Sequence, residues 1–590
     1  MARIENPLKN DALSHPGLLL EKWHEEWDEQ GPKDFVRAQL TRVTRATGED
    51  TLLQAALSRR RAALSGATVW MRKTTGPMSL FLAASGSFEN AGICLHPLYG
   101  FAYMPGTGIK GMARAYAVTV VAASRDDVNA VFGPELVGTD AEAECGGVVF
   151  YEAWPTKWPK LEVDIVNNHH RNYYEGKNNA PPEDWEQPNP VNFLTVKPGT
   201  EFEFAVAARR KESTEAGRLV ALAKTWVDGG LQWLGAGAKT NAGYGRFAAE
   251  TALPECSQRE VFECTLRLVS PAFLAGAMQG KEDCTLRPAT VRGLLRWWWR
   301  TLHAGYLTVE ELRKLEGRLW GTTEVGGQIA VEVEPISNQS PKEMKVVMQN
   351  GEKPARAYLA YGMEGNPNPN NPRPARQYVE AGARWRIRIV GKDGQAAEQA
   401  IAALWMLCTF GGAGAKARRG FGSLESQELA ARFPGKLKDG LVRALQTAAA
   451  VRPGTEFKES NLQSPSVHRI MITELRLKGA SDWDAIDSLG RAYRAFNASM
   501  KHNPEKLALG LPRAIHKGPE RKALRHPAGR YDRHASPLHF RLMKLQQGFA
   551  VRVTGFASTH LADAVPPAQR LAASREFLNK CVKFMREELA

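Results

Sequence analysis

Cysteine is scarce in this chain and falls in no pairing pattern. There are 7 cysteines in 590 residues, an odd number without a Cys-x-x-Cys pair, which argues against a disulfide scaffold and against the common zinc spacings. A reducing cytoplasm is the expected compartment. Cys256, Cys264 and Cys284 followed by His303 can be drawn as a metal site, but their separations match no ligand rhythm, so no metal is expected. Long apolar runs are missing too. The longest uncharged apolar stretch, around 401–415, is too short for a membrane span and runs into glycines. Glu5, Lys9 and Asp11 interrupt the first residues, so no secretory leader is expected. Nucleotide loops are absent: a P-loop needs glycine directly before its lysine, where Ala238 and Ala415 stand, and neither glycine-rich loop completes G-x-G-x-x-G. No cofactor is expected.

What is present is ordinary globular chemistry, 43% hydrophobic and 24% charged, with a formal charge of +15. A basic balance of this size favours polyanions such as nucleic acid. It is unevenly placed: residues 1–250 carry 27 basic and 30 acidic side chains, and residues 251–590 carry 51 and 33. Polyanion contact should weigh on the second part.

Along the chain, 1–66 read as a helical prefix, with Leu18, Leu19, Trp23 and Trp27 and then Leu52, Leu53, Ala56 and Leu57 at helical spacing. From Thr68, short apolar runs alternate with glycines and single helices, the pattern of an α+β chain. The decisive feature is an internal repeat. Lys110-Gly111-Met-Ala-Arg114 returns as Arg292-Gly293-Leu-Leu-Arg296, and Phe132-Gly133 as Trp320-Gly321. A Gly-Gly pair (Gly146, Gly147; Gly326, Gly327) follows in each copy. Gly235-Ala-Gly237-Ala-Lys239-Thr-Asn-Ala-Gly243-Tyr-Gly245 returns whole, 177 residues on, as Gly412-Ala-Gly414-Ala-Lys416-Ala-Arg418-Arg419-Gly420-Phe-Gly422. This reads as tandem homologous domains: a prefix at 1–66, a first domain at 67–250, a linker at 251–260, the first part of a second domain at 261–425 and a basic C-terminal part at 426–590. Nothing beyond Gly422 has a counterpart in the first block.

Glycines at this density can turn backbone N–H groups toward an anion, so each loop, with Lys239 or with Lys416, Arg418 and Arg419, is a candidate phosphate cradle; a tight turn that merely packs is the alternative. The helix opening at Thr290 places Arg292, Arg296 and Arg300 at i, i+4 and i+8, one guanidinium stripe beside Trp297, Trp298 and Trp299, of which at least two should be core. Residues 501–541 hold ten Lys or Arg against three acids, interleaved with histidines and prolines, a basic loop-like segment. No convincing catalytic set emerges. His169 and His170 are adjacent and point apart, and Glu282 and Asp283 alone could support metal-assisted cleavage of a phosphodiester.

These paired landmarks resemble the RAMP superfamily of CRISPR-associated RNA-binding proteins. Glu89 to Gly111, Phe132-Gly133, His169 to Tyr174, Phe193 and the loop to Gly245 are similar to the family of the sixth subunit of the type III-B (Cmr) effector complex. Arg287 to Arg300, Leu319-Trp-Gly321, Tyr358-Leu-Ala-Tyr-Gly362, the loop Gly412–Gly422 and Arg533-His-Ala-Ser-Pro537 are similar to that of the first. The resemblance implies tandem ferredoxin-like (RRM-like) RAMP domains with helical insertions and glycine-rich loops, in a natural fusion of two subunits, with 261–425 the first RRM-like part of the second domain and 426–590 its RRM-like and helical basic part. It implies a non-catalytic, cytoplasmic RNA-binding subunit at the 3′ end of the CRISPR RNA, helping to capture complementary target RNA beside the backbone RAMP subunits, the small subunit and the cyclase-bearing large subunit. Lys110, Arg114, Lys239 and Arg246 would then contact guide phosphates, and Arg292, Arg296, Arg300, Lys416, Arg418 and Arg419 guide or target. A stand-alone RAMP endoribonuclease and a purely architectural subunit remain as alternatives.

Overall fold

A computed structural model describes residues 7–24, 32–83, 88–135, 144–184, 186–248, 259–337, 340–346, 353–366, 373–452, 464–510, 513–517, 520–524, 535–557 and 569–590. Two compact units emerge. One comprises Met1–Asn167, Pro190–Arg259 and Ala330–Glu334, the other Asn168–Asn189, Glu260–Ile329 and Pro335–Ala590.

In the first unit the prefix forms helices Pro16–Glu21, Pro32–Arg45 and Asp50–Ala63. The last buries Leu53, Ala56 and Leu57, whose spacing puts them on one face. Its end is tied to a sheet by charge: Arg60 and Arg61 reach the fully buried Glu203 at 2.5 and 2.6 Å. Three of the four strands of that sheet run Thr68–Lys73, Glu201–Ala208, Val148–Phe150, in chain order first, third, second of the three, and the fourth, Trp154–Pro155, also pairs with Glu201–Ala208, all antiparallel. Helices Gly106–Tyr116 and Ala216–Trp233 pack together at Gly229, where a Cβ would lie 2.1 Å from the Tyr116 ring.

The second unit repeats this plan. Glu260–Leu268 pairs antiparallel with Arg384–Gly391, as Thr68–Lys73 does with Glu201–Ala208, and its end also pairs with Leu424–Glu425. Helix Pro288–His303 and the almost wholly buried helix Gly394–Phe410 accompany it. The repeated landmarks adopt the same backbone. Helices Arg125–Phe132 and Val309–Trp320 start from side-chain caps at Ser124 and Thr308, and end on Gly133 and Gly321 at φ +90° and +89°, a region that favours glycine.

Beyond Gly422, where the sequence shows no repeated landmarks, a third sheet runs Ile470–Leu477, Phe549–Phe556, Leu538–Lys544, again first, third, second. Helices Asp482–Ser499 and Arg570–Leu589 pack on it through Ile486, Leu489, Phe496, Phe577, Leu578 and Cys581. The basic segment 501–541 contains a two-stranded hairpin, Arg513–Lys517 with Glu520–Leu524, and its side chains at 511–534 lie outside the described residues, as does most of the linker at 251–260. Among the described residues no helix is long and apolar enough to cross a membrane.

Candidate nucleic-acid interface

The two glycine-rich loops superpose residue by residue in their contacts. Ala236 N–H donates to Gly245 O at 2.8 Å, and Ala413 N–H to Gly422 O at 2.9 Å. Ala238 N–H and Ala415 N–H donate to Ser79 O and Phe273 O at 2.7 and 2.9 Å, while Gly245 N–H and Gly422 N–H donate to Pro77 O and Pro271 O at 2.8 Å each. A Cβ on Gly245 would stand 1.8 Å from Ala236 O, and one on Gly422 1.9 Å from Ala413 O. These glycines therefore serve the closure of the loop on its own backbone. Three matched amides of each loop are thus engaged by backbone oxygens, and beside them each loop carries its lysine.

Lys239 and Lys416 hold the same left-handed conformation, φ +59° and +63°. Lys239 Nζ lies 5.1 Å from the Phe193 ring centroid, and burial lowers its pKa, with Asp164 opposing. Lys416 is lowered too, by burial and then by Arg419, with Arg373 adding to the effect. Arg246 is spent inside the first unit: it is buried, donates to Gln232 O at 3.3 Å and Thr240 O at 3.2 Å, and lies 3.2 Å from Glu332. The expected guide contact by Arg246 gives way to bracing of the loop.

The arginine stripe on helix Pro288–His303 likewise turns inward. Arg292 donates to Ile329 O at 2.7 Å and to Trp320 O, over whose ring it also stacks. Arg296 and Arg300 converge on Glu316 at 2.7 and 2.9 Å. Glu316 is buried and also accepts the hydroxyls of Tyr173 and Tyr174 at 2.9 and 3.1 Å. Although burial opposes it, the two guanidiniums hold the Glu316 carboxyl down to about 2. A spacing of four aligns side chains on one face, but here that face meets the neighbouring helix and a tyrosine pair rather than water. Arg418 is also paired, with Asp184 at 2.7 Å and Ser536 O at 2.8 Å, and lies over Trp297. Trp298 and Trp299 are buried, so only the half-buried Trp297 retains an accessible edge.

Other candidates resolve as follows. Lys110 and Arg114 share helix Gly106–Tyr116, with Arg114 loosely paired to Glu135 at 3.4 Å. Gly111 and its counterpart Gly293 are exposed, and a Cβ on either would meet nothing within 4 Å. Asp283 accepts the amides of Met278 and Gln279 at 2.7 and 2.9 Å, closing its own loop, while Glu282 is exposed. His170 is buried, and burial together with Arg300 pushes its pKa down to about 3. Burial pushes the Cys264 and Cys284 thiols up to about 12 and 11, and His303 bonds Gln399 at 3.2 Å. Among the described residues no group of three or more His, Cys, Asp and Glu could hold a metal; Cys256 lies outside them.

The profile of the RAMP superfamily matches residues 64–248 and 265–425. The chain belongs to the RAMP superfamily. Its relatives include two different CRISPR system Cmr subunits of Pyrococcus furiosus. Cmr1-1 is 24% identical over 45% of this chain and 78% of the relative. Cmr6 is 46% identical over 17% of this chain, but the match spans only 30% of the relative. A chain of a type III-B Cmr-beta complex bound to cognate target RNA is similar over 38% of this chain and 74% of that one, with 20% identity and a TM-score of 0.29.

Two groups of residues in this RAMP protein escaped the sequence reading. One is Glu316, the hub that absorbs the arginine stripe. The other surrounds Tyr361, which is 75% exposed, with Arg373 and Arg376 on the chain that folds back beside it. The signal that was available is a shared Arg-x-Tyr in the short helices Arg171–Tyr174 and Arg356–Leu359, each in a segment inserted between the second and third strands of its sheet.

Proposed function

We propose that the chain is a non-catalytic RNA-binding subunit of a type III-B CRISPR ribonucleoprotein, joining in one polypeptide the roles of the sixth and first subunits. It caps the backbone filament at the 3′ end of the CRISPR RNA and helps capture complementary target RNA. The observation that carries this reading is the likeness of one chain to two different Cmr subunits. The matched lysine loops support it. The domain at 67–250 would be the sixth-type part, and 261–425 with 426–590 the first-type part.

On this reading Lys110, Arg114, Lys239, Lys416 and Arg419 are the cations left to meet phosphate, whereas Arg246, Arg292, Arg296 and Arg300 hold the fold that presents them. Base pairing supplies sequence, and the protein supplies backbone contact. Fusion fixes a one-to-one ratio and raises the effective concentration of each part for the other. The test is a pull-down of the tagged chain from its native cells, with the bound RNA sequenced, the co-purifying proteins identified and the sample assayed for target cleavage. Short guide RNAs together with backbone, small and large subunits are the expected result. RNA cleavage by the isolated chain without such partners would instead make it a stand-alone endoribonuclease, and a complex in which it fails to crosslink to RNA would make it architectural.

A further inference from the structure

Tyr361 stands on the second unit with three-quarters of its surface in water, although a ring of this size usually finds cover or a partner. The chain around it is well determined by its backbone. Asn366 and Arg373 exchange both main-chain hydrogen bonds, at 2.8 and 3.0 Å, and Arg376 N–H donates to Met363 O at 2.8 Å. The return strand thus runs back beside the tyrosine. A Cβ on Gly362, the next residue, would have Arg373 Nη1 as its nearest neighbour at 3.8 Å. Tyr358, three residues earlier, lies 6.1 Å from the Tyr493 ring, and the Arg419 guanidinium sits 4.7 Å over that same ring.

Charge in this neighbourhood is out of balance. Arg373, Arg376, Lys416 and Arg419 gather here, and each of Arg376 and Lys416 feels the repulsion of Arg373. Among the described residues, Asp283 opposes this for Arg376 and Glu364 for Lys416. Glu364 already faces Lys353 at 3.7 Å, and one Asp283 oxygen is taken by two backbone amides. Arg419 Nη1 is buried with no hydrogen-bond partner among the described residues. Like charges held together beside the segment that carries an open aromatic ring match the parts of a single-strand binding site, cations for phosphate and a π-face for a base.

We propose that Tyr361 is the stacking platform for one nucleobase of single-stranded RNA, with the flanking phosphates held by Arg373, Arg376, Lys416 and Arg419. This rests on the RNA-binding reading above and adds a base contact that is tolerant of sequence, because every base has a π-face. The charge balance favours nucleic acid over a protein partner: the ring is open, and the acids that oppose Arg376 and Lys416 are also engaged elsewhere.

The experiment uses the full chain and a fluorescein-labelled oligouridylate of about 12 nucleotides, within the site sizes of single-strand binders, beside an abasic oligomer of equal length. Tyr361→Ala should weaken binding of the oligouridylate about tenfold, Tyr361→Phe should retain it, and the abasic oligomer should not distinguish Tyr361→Ala from the parent. Arg373→Glu should weaken both oligomers and flatten the salt dependence. Equal affinity of the parent and Tyr361→Ala for the oligouridylate would overturn the inference and leave the RNA-binding reading standing. Loss of co-purifying subunits from Tyr361→Ala with RNA affinity unchanged would also overturn it, assigning the ring to a protein. Failure of the parent to bind either oligomer would strike the RNA-binding reading itself.

Discussion

The segments 168–189 and 353–366 carry the same Arg-x-Tyr and use it in opposite ways. In the first, the tyrosine is pinned: Tyr173 is fully buried and donates to Glu316, joined by Tyr174, while Arg171 points to solvent and pairs only with Glu175 four residues on. In the second, the arginine is pinned: Arg356 reaches Asp487 through its guanidinium and its own backbone N–H, both at 2.6 Å, while Tyr358 stays partly exposed. The helix each segment meets decides the outcome. Helix Val309–Trp320 offers a buried carboxylate already flanked by two guanidiniums, which takes hydroxyl donors. Helix Asp482–Ser499 offers a carboxylate with room for a cation, and at Gly490 a site where a Cβ would stand 2.6 Å from Ala355 O. A short motif thus specifies which groups are available, and the facing element selects among them.

The comparison breaks most completely at Glu316. Glu316→Ala leaves Arg296 and Arg300 without their shared carboxylate, and stranding a buried charge costs about 3–5 kcal/mol. Thermal unfolding should fall steeply, and hydrogen exchange should rise across 168–189 but not across 353–366. Asp487→Ala is the mirror-image change. Arg356 is less buried and can reach water, so a loss of about 2 kcal/mol is expected, with faster exchange across 353–366 and none across 168–189.

Acid should separate the two segments without a mutation. His170 faces Arg300, Asp184, His169, Glu316 and Glu186, and its folded pKa of about 3 lies below the usual histidine value. The folded state therefore resists a proton that the unfolded chain accepts, so this contribution is intact above about pH 6.5 and is lost as pH falls toward 3. Between pH 6.5 and 5 the loss should approach about 2 kcal/mol. The segment 353–366 has no histidine, so exchange measured from pH 7.5 to 5 should quicken in the first segment well before the second.

The smallest effect lies on the repeated helices. Gly111→Ala and Gly293→Ala fill open space on exposed helical turns, so each should stabilise the chain by about 0.5–1 kcal/mol. If these faces lie against RNA, the same changes should weaken guide binding in a filter assay. Raised stability with unchanged RNA affinity would show that the glycines face solvent only.

Much of the architecture was legible in the residues. Helical spacing at Leu53, Ala56 and Leu57 foretold the helix that forms, and the match of Phe132-Gly133 with Trp320-Gly321 foretold a repeat, which the structure shows as two helix ends of the same geometry. The third sheet was expected only through the family resemblance, as an RRM-like C-terminal part; the residues themselves did not show it, because strand order is set by pairings between distant segments and needs no shared landmark. The arginine stripe shows why the site was harder to read. Period and spacing place Arg292, Arg296 and Arg300 on one face, but whether that face meets water depends on Glu316, Trp320 and Ile329, all of which come from later elements.

By itself the sequence determined the local backbone. The glycines of each repeated loop permit left-handed conformations and a close backbone crossing that other residues resist, so the loop formed twice with the same hydrogen bonds and holds its lysine at positive φ both times. Tertiary structure decided which cations are satisfied within the chain. Arg246, Arg296 and Arg300 lie among carboxylates and carbonyls that satisfy them, while Arg373, Lys416 and Arg419 are gathered where too few acids reach. Burial and charge balance depend on what the rest of the chain brings alongside, and no local pattern carries that information.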